Sequence, residues 1–209
     1  RGVAIATERI VLRVDATSLA VELDAFTERL VASCASFDPN AAFGGVTWGV
    51  PQTLDSAAGD GRFREAIVVG VESTQARVAE YTPTADLTTG GGKGDLYLRM
   101  LIEELKPRVD AELRTLPGRE DTVLLGSSLG GRITSYAGVR RPDIFGLIGA
   151  MSPSVWWDNR GLLTLLPQTG TIRPVRVYVY SGDSGASGDG VSDTRELAAA
   201  YRTLGYVDG

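Results

Sequence analysis

The most informative absence in this 209-residue sequence is histidine, which does not occur at all. An imidazole is the usual group that takes the proton of a nucleophilic serine and returns it to the leaving group. A serine nucleophile within these residues therefore needs a general base from outside them. The alternative is that no serine here acts as a nucleophile.

Cysteine and long apolar segments are also scarce. Cys34 is the single cysteine, which excludes an internal disulfide framework. No apolar run approaches the ~18 residues that a membrane-spanning helix needs. The formal net charge of −5 argues against a general nucleic-acid binder. We therefore expect a soluble protein with no membrane span and no nucleic-acid partner, in the cytoplasm or in a periplasmic or secreted location.

The remaining composition is that of an ordinary globular protein. Apolar residues make up 43% of the sequence and charged residues 22%. A chain of 209 residues is long enough to bury a substantial core in one α/β-sized domain. We therefore expect residues 1–209 to form a single domain.

One stretch, Thr122–Arg132, combines an apolar, strand-forming run, the pattern Gly-x-Ser-x-Gly and a segment able to form a helix. This order is the one that a nucleophile elbow requires, in which a sharp strand-to-helix turn exposes a serine. The spacing selects Ser128, because Gly126 and Gly130 stand two residues to either side of it. The neighbouring Ser127 lacks a glycine two residues before it. The alternative is a chance match in a chain with 26 glycines.

The segment after Ser128 suits an oxyanion. A helix that begins there points its positive end and its free N–H groups at the serine. In an elbow the backbone N–H of the residue after the nucleophile, here Leu129, is one donor of the oxyanion hole.

Apolar periodicity places strands and helices in alternation along the chain. Besides the strand before Ser128, the predicted strands cover residues 10–14, 66–71, 145–151 and 175–180, and the predicted helices cover residues 17–35, 95–116, 129–140 and 193–204. Pro107 should kink or split the second of these helices near Lys106. The alternation predicts an α/β fold with a mostly parallel central sheet and helices on both faces.

Two segments are predicted to be loops. Residues 36–61 indicate an ordered loop with a short helix, and residues 73–94 a long flexible loop on the substrate side. The end of the second loop, residues 90–94, resembles a phosphate-binding loop only superficially. A Walker A motif needs Ser or Thr where Gly94 stands and glycine where Leu87 stands.

Several further blocks stand in a fixed order around the elbow. They are Phe37–Pro39 with Phe43–Trp48, then Ile67–Val71, Arg77–Pro83, Gly92–Asp95, Glu103–Pro107, Gly126–Gly131, Arg141–Gly146 and Ser152–Trp157. With these blocks, the chain from about Phe37 to Gly209 resembles the Putative esterase family of the α/β-hydrolase superfamily. That family includes enterochelin (siderophore) esterases, feruloyl and other carboxylesterases and, more distantly, mycolyltransferases.

The resemblance implies a Ser–acid–His triad in that chain order, with Ser128 as the nucleophile. The acid is expected just after the strand at residues 175–180, where Asp183 is our choice and Asp189 in the same loop is the alternative. A solvated loop aspartate is the other interpretation of Asp183. The family's histidine follows a further strand, so we expect that strand and the histidine-bearing loop to lie beyond Gly209.

The N-terminal part departs from the family pattern. Relatives carry an apolar strand and a His-Asp-Gly-type turn before the position of Phe37, which help to build a central strand and a second oxyanion N–H. Here the segment is Leu30–Ser36, without such a turn. We therefore expect residues 1–36 to diverge from the family and the sheet to be atypical at this end.

The expected activity is hydrolysis of a small-molecule carboxylic ester through an acyl-enzyme on Ser128, without a cofactor or a metal. Two alternatives are an acyltransferase of the same fold and a non-catalytic member that binds a ligand. The candidates for the substrate wall are Arg77, Tyr81, Trp156 and Trp157. Alternatively, the first two order the long loop and the tryptophans fill the margin of the core.

Overall fold

The computed structural model describes residues 66–71, 73–169, 174–182 and 190–207, positions 53 and 56, and the backbone of two strands at 11–14 and 30–33. The strands are β1 (Val11–Val14), β2 (Leu30–Ser33), β3 (Ile67–Val71), β4 (Ala85–Asp86), β5 (Gly90–Gly91), β6 (Thr122–Ser127), β7 (Leu147–Met151) and β8 (Arg176–Tyr180). Strands β4 and β5 form a small antiparallel hairpin. The others form one parallel sheet in the order β1-β3-β2-β6-β7-β8. Their carboxyl ends therefore meet at one edge, where ligand sites form in sheets of this kind.

The helices alternate with the strands, as the periodicity predicts. They are α1 (Arg77–Glu80), α2 (Gly94–Arg99), α3 (Lys106–Glu112), α4 (Leu129–Arg140), α5 (Trp157–Leu165) and α6 (Val191–Thr203). Helix α4 begins and ends at the predicted residues. None of the helices in the described ranges has the length and apolarity that a membrane span requires.

The strand Leu30–Ser33 corrects the N-terminal prediction. Apolar spacing predicts a helix over residues 17–35, but β2 occupies the end of that range and lies between β3 and β6. Pairing on both sides outweighs the helical spacing of the preceding leucines, because strand formation depends on neighbours distant in sequence. A central strand therefore precedes the position of Phe37. The remainder of the predicted helix, residues 17–29, lies outside the described residues.

The main core lies against one face of the sheet. Strand register places Leu124, Ile148 and Val177 in one row across β6, β7 and β8. Helix α4 packs closely on this row, because a Cβ at Gly138 would come within 2.6 Å of the Ile148 Cδ1 atom. Other helical side chains of the same core are Leu101, Leu105, Val109, Ile133 and Ala137. Burial of such side chains supplies most of the stability that holds the elbow in place.

The other face of the sheet becomes more exposed toward β8. Leu125, Gly149 and Tyr178 share a row on this face, and Tyr178 and Tyr180 are more than half exposed. The described helices contribute to the two apolar clusters on the opposite face. A helical layer is therefore seen on one face, and helices on both faces remain a prediction.

The helix before the elbow differs from its prediction at Pro107 and at its end. A π-helical segment, Met100–Leu105, joins α2 to α3, and Pro107 lies in the first turn of α3. Proline has no N–H to donate inside this continuous helical path, and the wider π-helical turn, in which the Lys106 N–H donates to the Leu101 carbonyl, lies directly before it. The helical path therefore continues through Lys106, and only the type of helix changes there. The helix ends at Glu112, before the predicted Leu116, because Leu113 is extended with φ −123° and ψ 159°.

The segment 73–94 is more ordered than a flexible loop. It contains α1 and the β4–β5 hairpin. Gly90, Gly91 and Gly92 have positive φ angles of 79°, 104° and 88°, which glycine adopts at no steric cost. The glycine run therefore shapes a hairpin, and residues 36–61, the other predicted loop, lie outside the described residues apart from positions 53 and 56.

Candidate active site

Ser128 occupies a sharp turn between β6 and α4. Its φ of 57° and ψ of −123° lie in a region that residues with a Cβ rarely adopt. The turn brings the strand and the helix so close that a Cβ at Gly126 would overlap the backbone of Gly130 and lie 2.8 Å from the Thr134 Oγ1 atom. The geometry therefore requires glycine at position 126, and the turn is that of a nucleophile elbow.

Backbone hydrogen bonds hold the strained serine from both sides. The Ser128 N–H donates to the Met151 carbonyl at the end of β7, at 3.0 Å. The Ser128 carbonyl accepts from the N–H groups of Arg132 at 3.1 Å and Ser154 at 3.0 Å. Strain at such a turn persists only where the surroundings determine the backbone more than once. Three hydrogen bonds meet that condition here.

The hydroxyl of Ser128 is accessible beside the N-terminus of α4. Leu129 is the first helical residue, and the first four N–H groups of a helix have no acceptor within it. The positive end of the helix dipole adds to the attraction for negative charge at this point. The Leu129 N–H is therefore suitably placed to serve as an oxyanion donor next to Ser128.

A second serine lies against the first. The Ser154 and Ser128 Oγ atoms are 3.2 Å apart and share a hydrogen bond. Ser154 is 4% exposed and belongs to the segment between β7 and α5. This segment lies beside the elbow because β7 neighbours β6 in the sheet.

Arg132, one turn along α4 from Ser128, has a fully buried side chain. Its Nη1 donates to the Ser154 carbonyl at 3.3 Å and its Nη2 to the Thr84 Oγ1 atom at 3.2 Å, while Nε has no partner. Burial lowers the pKa of this guanidinium to about 10, and the charge of Asp158 partly offsets that effect. The side chain therefore remains a buried cation at neutral pH.

The two tryptophans of the predicted substrate wall have different environments. Trp156 is 60% exposed, whereas Trp157 is 2% exposed. The Trp157 Nε1 donates to the Thr84 carbonyl at 3.2 Å, and its Cζ2 would lie 3.2 Å from a Cβ at Gly91. Trp157 therefore packs under the hairpin, and Trp156 alone of the pair presents an aromatic surface.

Tyr81 and Arg77 stand together beside the hairpin. Tyr81 is 1% exposed and makes an edge contact with Tyr97, with ring centroids 4.9 Å apart. The Arg77 guanidinium lies over the Tyr81 ring at 5.3 Å. Burial gives Tyr81 a place in the core, where a substrate does not reach it. Arg77 is half-buried, and its stacking on Tyr81 orders the segment that carries the hairpin.

Asp183 and Asp189, the two candidates for the triad acid, lie outside the described residues. Strand β8, which precedes them, ends at Tyr180 at the same sheet edge as Ser128. The Tyr180 carbonyl accepts the Ser152 N–H at 2.7 Å, next to the Ser154 segment. Residues 73–169, 174–182 and 190–207 contain no group of three acidic or cysteine side chains suited to hold a metal ion.

Three contributors to the site were missed from the sequence. Ser154 lies within one of the blocks that resemble the family but has no predicted role, and no motif marks Arg132 or Thr84. An arginine in a helix ordinarily indicates a solvated face. The signal that was available is position, since Arg132 is four residues after Ser128 and so lies on the same side of α4.

A parallel sheet with a strained serine between a strand and a helix N-terminus is the fold of the α/β-hydrolase type. The chain matches the family described as Putative esterase over residues 46–203, which is most of its length. It therefore belongs to that family, as the resemblance implied.

Relatives and solved structures agree with this assignment. The chain is 32% identical over 114 residues to the uncharacterized protein YbbA of Bacillus subtilis, which covers 52% of this chain and 45% of YbbA. It is 35% identical over 120 residues to the iron(III) salmochelin esterase of Escherichia coli, covering 54% of this chain and 27% of that protein. The enterobactin esterase FES of Shigella flexneri, solved in the presence of enterobactin, has the same fold with a TM-score of 0.67 at 22% identity. That match covers 92% of this chain and 45% of the esterase. The matches thus span less than half the length of these proteins.

Proposed function

We propose that the protein is a serine esterase that hydrolyses small-molecule carboxylic esters through an acyl-enzyme on Ser128. The observation that carries the proposal is the Ser128 backbone at φ 57° and ψ −123°, between β6 and the N-terminus of α4. Membership of the Putative esterase family supports the reaction class. The Ser128 Oγ attacks the ester carbonyl, and the Leu129 N–H stabilises the negative charge that develops on the carbonyl oxygen.

The proton transfers require groups that complete the site. Because the sequence has no histidine, we assign the general base to a histidine outside these 209 residues. It takes the Ser128 proton, gives it to the leaving alcohol and then activates the water that releases the acid. Asp183 is proposed to orient that histidine, because it comes three residues after Tyr180, where β8 ends.

The substrate class is proposed from Trp156 and from the relatives. An exposed indole near an elbow offers a flat apolar surface for an aromatic ring. The salmochelin and enterobactin esterases named above suggest siderophore esters as first substrates to test. An alkyl ester of 2,3-dihydroxy-N-benzoyl-serine, a compound present in another structure of the Shigella flexneri esterase, is a simpler probe with an aromatic ring near the ester carbonyl.

The test uses the protein expressed from its complete reading frame. We expect hydrolysis of p-nitrophenyl acetate and covalent labelling of Ser128 by a fluorophosphonate, located by peptide mass spectrometry. Ser128→Ala should lower turnover by about 10⁴-fold or more, while the adjacent Ser127→Ala should leave labelling intact. Absence of both hydrolysis and labelling in the folded wild type would show that the proposal is wrong.

Two further experiments test the acid and the base. Asp183→Asn should lower kcat by about 10³–10⁴-fold, with Asp189→Asn as the matched control in the same loop. If Asp189→Asn lowers kcat and Asp183→Asn does not, Asp189 is the triad acid. The 209 residues alone should show negligible Ser128-dependent turnover, because they contain no histidine. Measurable turnover by these residues would contradict a general base supplied from outside them. Product analysis with an alcohol acceptor present separates hydrolysis from acyl transfer.

A further inference from the structure

We propose that Arg132 is a positioning residue of the active site, which fixes the Ser154 segment so that Ser154 holds the nucleophile Ser128. The inference rests on the proposed role of Ser128 and adds to it a support that neither the family match nor the motif assigns. It starts from the contacts between the two serines.

Ser154 restrains Ser128 at two points. Its N–H donates to the Ser128 carbonyl at 3.0 Å, and its hydroxyl shares a hydrogen bond with the Ser128 hydroxyl at 3.2 Å. The first contact fixes the backbone of the elbow, and the second fixes the direction of the reactive oxygen. A shift of about 1 Å in a reacting group is enough to cost about 10²-fold in rate. The position of Ser154 therefore bears directly on the reactivity of Ser128.

Ser154 in turn depends on Arg132. The segment that carries Ser154 is not part of a regular element, since it lies between β7 and α5. The Arg132 Nη1 donates to the Ser154 carbonyl at 3.3 Å. Arg132 also donates its own backbone N–H to the Ser128 carbonyl at 3.1 Å. One residue thus contacts the nucleophile through its backbone and the support of the nucleophile through its side chain.

The same guanidinium reaches a third segment. Its Nη2 donates to the Thr84 Oγ1 atom at 3.2 Å, and the Thr84 carbonyl accepts the Trp157 indole N–H at 3.2 Å. Arg132 therefore links the elbow helix, the Ser154 segment and the approach to the hairpin. A planar guanidinium suits this task because it presents several donors in fixed directions, which a lysine does not.

Core packing alone does not explain why a charged side chain is buried at position 132. Arg132 is fully buried and its Nε has no partner. An apolar side chain of similar volume ordinarily gives equal or greater stability than a buried charge with incomplete hydrogen bonding. The nearby carboxylate of Asp158 provides the opposite charge. The contacts that an apolar side chain cannot make are those to Ser154 and Thr84, and these are the contacts around Ser128.

The test compares Arg132→Met with Arg140→Met, a matched control on the exposed end of the same helix. Hydrogen exchange should become about tenfold faster in peptides covering residues 152–157 of Arg132→Met, because a hydrogen bond to the segment is lost. Peptides of β3 and α3 should be unchanged. The second-order rate of Ser128 labelling by the fluorophosphonate should fall by about 10- to 100-fold. Arg140→Met should alter neither measurement.

Two comparisons distinguish positioning from a structural role. Arg132→Lys should recover part of the labelling rate, since lysine keeps a donor. Ser154→Ala should slow labelling by about 3- to 10-fold, and adding it to Arg132→Met should cause little further loss, because the arginine acts through Ser154. If Arg132→Met does not fold, Thr84→Val tests the same network and should slow labelling about threefold.

Labelling and exchange at wild-type rates in a folded Arg132→Met variant would overturn the proposal. Fully additive effects of Arg132→Met and Ser154→Ala would also overturn it. If wild-type Ser128 is not labelled at all, the proposed function fails. The exchange measurement then decides by itself whether Arg132 fixes the Ser154 segment.

Discussion

The strained backbone of Ser128 predicts that glycine at this position gives a more stable fold than alanine, which is the reverse of the usual order. At φ 57° and ψ −123°, backbone strain lowers the free energy of unfolding by about 1–3 kcal/mol when the residue has a Cβ. The same backbone costs glycine almost nothing. Ser128→Gly and Ser128→Ala both remove the hydroxyl that contacts Ser154 at 3.2 Å. The difference between the two variants therefore isolates the backbone of the elbow.

The expected difference follows from two opposing contributions. Alanine keeps the strain, and glycine removes it but adds about 0.5–1 kcal/mol of conformational entropy to the unfolded chain. Ser128→Gly should therefore be about 0.5–2 kcal/mol more stable than Ser128→Ala. For a chain of 209 residues this corresponds to a Tm higher by about 1–8 °C.

The assay is urea unfolding followed by circular dichroism, with thermal melting as a second measurement. Ser135 of α4 provides the control pair, because it lies in regular helix where glycine should be about 1 kcal/mol less stable than alanine. The reasoning is refuted if Ser128→Gly is less stable than Ser128→Ala by a similar amount. Neither Ser128 variant should be labelled by the fluorophosphonate.

Three further predictions concern the surroundings of the elbow. Gly126→Ala should lower the free energy of unfolding by about 1–3 kcal/mol, since its Cβ would overlap Gly130; urea unfolding measures this, and the exposed Gly118→Ala should be nearly neutral. Trp156→Ala should raise KM for an aromatic ester severalfold in steady-state kinetics without changing the urea midpoint, because the side chain is 60% exposed; an unchanged KM contradicts a substrate contact. Burial and the hydrogen bond to Asp95 raise the pKa of Tyr136 to about 12, so its contribution to stability is present below pH 10 and is lost as pH rises through about 12. The wild-type urea midpoint should therefore fall over that range more than that of Tyr136→Phe, and equal slopes would contradict the assignment.

The elbow was predictable because every part of it is local in sequence. The strand before Ser128, the two glycines and the helix after it lie within Thr122–Arg140, and the structure has them at the expected residues. Gly126 is required by the close approach of the Gly130 backbone, which lies four residues further along, so a short pattern carries this requirement. The same reasoning explains why the order of strands and helices after residue 66 was largely correct.

The strand β2 was not predictable from local pattern. Leu30–Ser33 pairs with Ile67–Gly70 on one side and with Thr122–Leu125 on the other. Those partners are tens of residues away, and apolar spacing in the preceding segment indicates a helix. Strand formation that depends on distant partners leaves little trace in a short window.

The burial of individual site residues could not be predicted from the sequence either. Tyr81 and Trp156 are both aromatic residues beside predicted loops, yet Tyr81 is 1% exposed and Trp156 is 60% exposed. Tyr81 packs against Tyr97 of α2, and the Arg77 guanidinium lies over its ring, so its burial depends on contacts that form only in the fold. For Arg132 the sequence predicts exposure and the structure shows burial. A charged residue of a helix ordinarily lies on the surface, but this one is enclosed by segments that come together only in the fold.

The contacts of Ser128 connect the stability of the elbow to its reactivity. The carbonyl of this residue accepts two N–H groups, one from Arg132 within α4 and one from Ser154 outside it. The first forms part of the helix that places the Leu129 N–H beside the hydroxyl, and the second belongs to the segment that contacts the hydroxyl itself. Loss of the Ser154 contact would let the turn relax toward an unstrained conformation, which would move the hydroxyl relative to the Leu129 N–H. The same hydrogen bond therefore maintains the strain and aligns the nucleophile with its oxyanion donor.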